Sequence, residues 1–332
     1  MKHLSQFLLL TGATSIGLTP ELGQITVANA AQNYAGSLAQ DVQGYLAGLP
    51  AGDEQIAIDA LFPGLQTNDF FQFAKADDEA FLTEADDSDI RGIGASFKRV
   101  QYKGTVVTAA TVQKGLTMRV DHKTLPKVNS VIVAGWENRY ADSLRNRLAR
   151  VDRVRGLAVL DAAATTGGTK TWSATTNPDG DLRAMAQLSR TANRAMPSHL
   201  VLGNAGQQLR MDAYEAPARV NHAMANHADY SPAELAAYLN VGKVVLEDGL
   251  KQPAKGAAKT DVLGLLAYSY MANDSVLVGD PSNIRRAWSP VTGGGEWAVA
   301  IQESAVYTDI TVWHESLFFA SFTAGIRKIV VV

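Results

Sequence analysis

Apolar side chains recur every three or four positions in the middle of the chain. Tyr140, Leu144, Leu148, Val151 and Ala158 share that step with Arg155, and no proline interrupts the stretch after Trp136. The spacing predicts one face of a long helix over about residues 130–166. Asn129 or Ser130 can cap its start, and Gly167-Gly168 can end it. A helix of about 30 residues within this stretch spans roughly 45 Å at 1.5 Å per residue and needs a flat surface to lie on. Arg139, Arg145, Arg147, Arg150 and Arg153 are spread around its other faces, with Asp142 and Asp152 among them. Gly156 stands inside the helix, where glycine costs roughly 1 kcal/mol relative to alanine. Two explanations are open: a bend point, or close packing against a sheet.

Alternation with period two appears on either side of this helix. Val100 and Tyr102 alternate with Arg99 and Gln101, and Leu116, Met118 and Val120 with Thr117 and Arg119. Residues 91–125 therefore predict a long two-stranded hairpin with a Thr/Val-rich tip at Thr105 to Gln113. A lone hairpin is marginal in water, so it must dock on its own body or on a neighbour. After the long helix, Asp181 to Ala195 and Asn204 to Tyr214 read as helices, and HLVLGN as a buried strand. Ser231-Pro232 opens a short helix at AELAAYLN. KVVLEDG, VLGLLAYSY and SVLVGDP are further apolar runs, and EWAVAIQES, VYTDITVWHESLFFASF and IRKIVVV close the chain as β-rich stretches. Helices mixed with strands, then a β-rich end, give an α+β fold class.

Charge adds an asymmetry. Residues 1–90 carry 13 acidic against two basic side chains, and the remainder 20 against 28. An acidic arm on a mildly basic body points to contact between like chains, or to orientation toward a charged content. The densest acids run from Asp77 to Asp89, after the anchors Phe70, Phe71 and Phe73. The start imitates a secretory signal, with Lys2 and His3 before FLLL and Ala28-Asn29-Ala30 as a cleavage-like site. Thr11, Thr14 and Ser15 break its apolar run, and the favoured reading is an extended arm. With no cysteine there is no disulfide and no thiolate chemistry, and no apolar run reaches the roughly 18 residues of a membrane span.

Catalytic patterns fail one by one. His314-Glu315 begins like HExxH, but Phe318 stands where the second histidine belongs. His222 and His227 miss the four-residue step that stacks two ligands on a helix. There is no GxSxG elbow. RGIGASF lacks the third glycine and precedes a strand, and GGTKT at 167–171 is no P-loop. Asn177, Asp179 and Asp181 around Gly180 lack the distal glutamate of a calcium loop and read as a turn. Neither enzyme chemistry nor a cofactor is indicated.

An order of pieces then carries a resemblance. An acidic lead into RGIGASFKRVQYKG, the strand KGLTMRVDH, a long helix ending LAVLDAAATTGG, then TKTW and SHLVLGNAGQQLR, resembles the tailed-phage major capsid proteins of the Hong-Kong-97-like fold. GDPSNIRRAWSPVTGGGEW, YTDITVWHE and GIRKIVVV extend the likeness, which runs from about Asp77 to Val332. It implies an N-terminal arm (1–75), an extended β-hairpin loop (76–127), a peripheral domain with the spine helix (128–180), an axial domain (181–288), and closing strands of the peripheral domain (289–332). It also implies hexamers and pentamers in an icosahedral shell around double-stranded DNA bound non-specifically, with portal and possible scaffold or decoration proteins, made in the host cytoplasm and residing in the virion. By position, the subunit-interface candidates are Phe97, Arg99, Tyr102, Lys103, Val106, Val107, Lys114 and Arg119 on the hairpin, and Asp77, Asp78 and Glu79 before it. Lys103 and Lys114 are also the positional candidates for the lysine that some family members crosslink to a neighbour's asparagine. Competing readings are an encapsulin-type compartment shell and a secreted β-rich hydrolase.

Overall fold

The computed structural model describes residues 42–43, 45, 53–74, 105–125, 127–128, 131–132, 135–216, 226–273, 282–291 and 294–332. The signal-like start, the acidic run at 77–89, the first arm of the predicted hairpin, His222 and the run SVLVGDP lie outside these residues. In chain order the elements are α1 (Asp53–Leu61), β1 (Gly64–Gln66), β2 (Phe70–Ala74), β3 (Val106–Ala110), β4 (Val112–Asp121), β5 (Lys127–Val128), β6 (Val131–Ile132) and α2 (Trp136–Ala163). There follow β7 (Thr165–Lys170), α3 (Pro178–Asn193), β8 (His199–Gly203), α4 (Asn204–Glu215), α5 (Pro232–Leu239), β9 (Lys243–Glu247), β10 (Leu250–Lys251) and β11 (Thr260–Asp261). Then come β12 (Leu266–Tyr270), β13 (Ile284–Ser289), β14 (Trp297–Glu303), β15 (Tyr307–Ala320) and β16 (Arg327–Val331). The α+β class expected from the sequence is what the chain forms.

The chain divides into two compact units, one of residues 1–50, 115–145 and 291–313, the other of 51–114, 146–290 and 314–332. In the larger unit, five strands form a mixed sheet in the order β7-β16-β12-β8-β9. β8 is buried along its whole length and runs parallel to β9. A strand covered on both faces reads as an unbroken apolar run, which is why HLVLG was legible. α3 and α5 bring Leu182, Met185, Leu235 and Leu239 onto Leu200, Leu202 and Ile329. α5 starts as read: Pro232 is its first residue, and Ser231 and Glu234 bond each other's backbone N–H in a capping box. α3 is capped by Asn177, whose side chain accepts from Gly180 N; the 177–181 stretch is thus a helix start. At Gly203, a Cβ would stand 2.1 Å from the Gly264 carbonyl oxygen, so the strand end approaches that turn as only glycine permits. The closing strand β16 lies inside this sheet, antiparallel to β12 and parallel to β7. It thus shares a sheet with β8, β9 and β12 of the 181–288 segment.

In the same unit, β13 pairs antiparallel with the second half of β15, and β1 joins β13 in parallel. In the smaller unit the first half of β15 pairs with β14 and β4. Burial alternates strictly along most of β15, as its sequence predicted. Gln43 is anchored to β14: its Nε2 donates to the Trp297 carbonyl at 2.6 Å, and its Oε1 accepts from Val299 N at 2.8 Å.

Three expectations about the long helix change. It spans Trp136–Ala163, 28 residues, preceded by the short β5–β6 pair rather than a cap at Asn129 or Ser130. Gly167 and Gly168 do not end it; they lie within β7. Its buried face is Leu144, Leu148, Asp152, Leu157 and Leu160, while Val151 is exposed, and Arg155 and Ala158 are exposed too. Apolar spacing located the face correctly up to Leu148 and then drifted, because Asp152 and Arg153 are charged side chains facing inward. Gly156 resolves in favour of packing. A Cβ there would stand 2.6 Å from Phe62 Cε2 and 2.9 Å from Phe318 Cε1, rings that pack edge-to-face at 5.4 Å. The helix runs through Gly156 without a break; the neighbours are core aromatics rather than sheet backbone.

Candidate assembly interface

The predicted hairpin tip is not a tip. Val106–Ala110 is strand β3, separated from β4 by Thr111 alone, and it pairs with β2 far upstream. The register sets Phe73 against Val107 and Ala74 against Val106. Val106 and Val107 therefore have a partner strand in their own chain, contrary to the sequence reading. The ribbon β2–β3 closes a stem, and residues 75–105 are the segment it brackets.

The two faces of this stem differ. On one, Phe71 and Phe73 pack on the ring of Phe319, with centroids 5.5 and 4.3 Å away. Side chains alternate along strands, so Phe70, Gln72 and Thr108 fall on the other face. There Gln72 bonds Thr108 in solvent, Phe70 is 76% exposed and Val106 60% exposed. Val112, just beyond the ribbon, is also exposed.

Lys114, expected at a subunit surface or a crosslink, is instead held inside its unit. Its Nζ donates to both Asp152 oxygens at 3.1 Å and to Ser316 Oγ at 2.8 Å, and lies 5.4 Å from the centre of the Phe318 ring. Ser316 donates in turn to Asp152 at 2.9 Å. Arg155 Nη1 reaches Asp152 at 3.0 Å, and His314 Nε2 lies 3.3 Å away. Burial pushes the Lys114 amine down from its ordinary value, against the pull of Asp152. Burial also acts to raise the Asp152 carboxyl, but His314, Lys114 and Ser316 outweigh it and hold the group below the usual carboxylate range. Burial drives His314 down to about 4. At neutral pH that imidazole is uncharged, so Lys114 and Ser316 then carry the stabilisation of the Asp152 charge. The amine's three bonds are all made within its own chain.

Arg119 does sit at the surface, in the smaller unit, with its side chain 62% exposed. It makes a two-pronged bond to Asp309, Nε to Oδ1 at 2.8 Å and Nη2 to Oδ2 at 2.7 Å. Its guanidinium lies 3.9 Å from the centre of the Tyr307 ring. The Asp309 bond raises the Arg119 pKa further and lowers that of Asp309. Phe97, Arg99, Tyr102, Lys103, Asp77, Asp78 and Glu79 lie outside the described residues. The sequence missed Asp152 as the centre of the buried cluster and Phe319 as the floor of the stem. The signal for Asp152 was its four-residue step from Leu148, discounted because the residue is charged.

Among the described residues no group of three His, Asp or Glu side chains is placed to hold a metal, and no helix is long and apolar enough to cross a membrane.

No protein-family model and no curated protein sequence matches the chain. Solved structures do. A phage-related protein from Bordetella bronchiseptica RB50 aligns with 15% identity over 87% of this chain and 95% of that one, at a TM-score of 0.62. A protein of Gordonia phage Cozz aligns with 10% identity over 83% and 86%, at a TM-score of 0.52. A chain of the capsid structure of cyanophage P-SCSP1u aligns with 10% identity over 83% and 88%, at 0.49. At these identities the likeness is one of architecture: this chain shares the α+β fold of these proteins.

Proposed function

We propose that this chain is a major capsid protein of a tailed phage, a structural subunit without catalytic chemistry. In this reading copies assemble as hexamers and pentamers into an icosahedral shell that encloses double-stranded DNA. The β2–β3 stem carries the proposal. It brackets residues 75–105 and leaves Phe70 and Val106 exposed on the face that also carries Gln72 and Thr108, in a chain whose fold matches a phage-related protein over 95% of that protein's length. A two-stranded ribbon with large apolar side chains left in water is marginal alone, and a shell supplies the missing cover by repeating one contact between identical copies. The rest of the subunit provides support: Phe319 of β15 floors the stem, and Gln43 is tied to β14. Portal, scaffold and decoration proteins belong to the same reading as further partners.

The test is the size of the purified full-length protein by light scattering and negative-stain microscopy. Closed shells or capsomers are expected, with particles carrying nucleic acid by absorbance ratio when made in cells. A monomer at every concentration overturns the proposal. Shells that exclude nucleic acid and retain a protein cargo overturn the DNA role in favour of a compartment.

A further inference from the structure

Beside the spine helix lies an open cavity of about 770 Å³ that the assembly proposal does not use. On one side the helix presents Arg147, Arg150 and Arg153, one every three residues. On another, the β10–β11 hairpin contributes Lys251 and Lys259, and its loop LKQPAKGAAKT carries Lys255 as well, with no acid before Asp261. Five cationic side chains line the space against Asp53, Glu54 and Asp248. Glu54 is already engaged by Arg150 at 2.8 Å and Arg153 at 3.3 Å. Arg147, Lys251 and Lys259 form no ion pair with described residues. Val151 and Leu250, large apolar side chains left 39% and 49% exposed, stand in the same lining.

This combination selects a ligand. A DNA duplex offers its phosphates to cations but no apolar face to Val151 and Leu250, and bare phosphate likewise leaves the apolar wall uncovered. An extended peptide with carboxylates beside apolar residues satisfies both walls. The chain contains such a segment: residues 77–89, DDEAFLTEADDSD, with Phe81-Leu82 set among seven acids.

We infer that the arginine–lysine cavity is a docking site for the acidic segment 77–89 of a second copy of this chain. The inference rests on the shell proposal for the presence of that second copy. Carboxylates of the segment meet Arg147, Lys251 and Lys259, and Phe81-Leu82 cover Val151 and Leu250.

Fluorescence anisotropy of a labelled peptide of residues 76–90 with the full-length protein reads the contact directly, whether or not shells form. Arg147→Glu, Lys251→Glu and Lys259→Glu are combined in one variant; all three side chains lack ion-pair partners among described residues, so the fold survives their reversal. Expected are at least a tenfold loss of peptide affinity in the variant, recovery with a peptide carrying Asp77→Lys, Asp78→Lys and Glu79→Lys, and weakening with salt. A second arm mixes the cavity-reversed chain with a chain whose own 77–79 acids are reversed to lysine. Neither associates alone, and the mixture does. Equal peptide binding by wild type and variant, or equal binding of a scrambled peptide, overturns the inference. So does association restored only when both reversals sit on one chain, which places the segment in its own cavity. Variant-sensitive binding of a short DNA duplex in place of the peptide also overturns it. Wild-type protein that binds the peptide yet never forms particles counts against the shell proposal alone.

Discussion

Lys114 and Arg119 lie on the same strand, β4, and the fold treats them in opposite ways. The first is enclosed with Asp152, Ser316 and His314. The second lies in solvent and meets Asp309 there. Residue type and strand spacing made both look alike as interface cations. What separates them is the partner behind each: a charged residue on the buried face of the spine helix for one, a half-buried cross-strand acid for the other. A cation becomes part of a core where a buried carboxylate awaits it, and a charged pair at the surface contributes little against water and salt.

The comparison breaks most readily at Asp152. Asp152→Ala removes the charge that Lys114 was buried to meet, leaving an amine and a hydroxyl without their acceptor. Breaking a buried pair from one side costs about 3–5 kcal/mol, so chemical denaturation of the dissociated subunit is expected to show a loss of that size. A loss near zero makes the cluster an ornament of the fold.

Acid probes the same cluster next. His314 titrates at about 4 when folded against an ordinary 6.5. Its folded pKa is depressed, so the unfolded chain binds the proton first as pH falls. The His314 contribution to stability is full above pH 6.5, declines between 6.5 and 4, and is exhausted below; it amounts to roughly 3 kcal/mol at 1.36 kcal/mol per pKa unit. His199, driven down to about 3 chiefly by burial and then by Lys243, adds to the decline in the same direction. His314→Gln is expected to make the fall in unfolding free energy between pH 6.5 and 4 visibly shallower than in wild type. An unchanged slope places the acid sensitivity elsewhere.

Gly156→Ala sharpens the account of the helix carrying Asp152. With Phe62 and Phe318 within 3 Å of the added methyl, overpacking is expected to cost about 1–3 kcal/mol and to lower the melting temperature. A rise, as expected from relieving an interior glycine of a freely bending helix, contradicts the packing seen here. At the other end of the scale, Arg119→Ala is expected to change the stability of the subunit by no more than about 1 kcal/mol, because the Arg119 side chain is 62% exposed and water can take its place at Asp309.

What the sequence made legible follows from where hydrophobicity and burial coincide. HLVLG is buried on both faces and apolar throughout, β15 is half-buried and alternates, and Ser231-Pro232 with Glu234 spells out a helix start. These were readable because one local signal decided each of them. The second half of the spine face was not, since Asp152 and Arg153 are inward-facing charges whose partners, Lys114, Glu54 and Glu247, are distant in sequence. Strand β3 was misread for a related reason. Its Thr/Val run between Lys-Gly flanks has the local look of a loop, and only pairing with Phe70–Ala74 makes it a strand. Long-range partners decided the two places that matter most for the interface.

That pairing also redefines the part of the chain on which the central claim depends. Because Ala74 stands opposite Val106, a two-residue Asn-Gly turn can join them as a tight hairpin and remove residues 75–105 with the stem kept intact. Negative-stain microscopy of this shortened chain beside the full-length protein, with circular dichroism as the control for folding, is the most direct measurement. The account predicts shells from the full-length chain and a folded, non-assembling subunit from the shortened one. Normal shells from the shortened chain would contradict it.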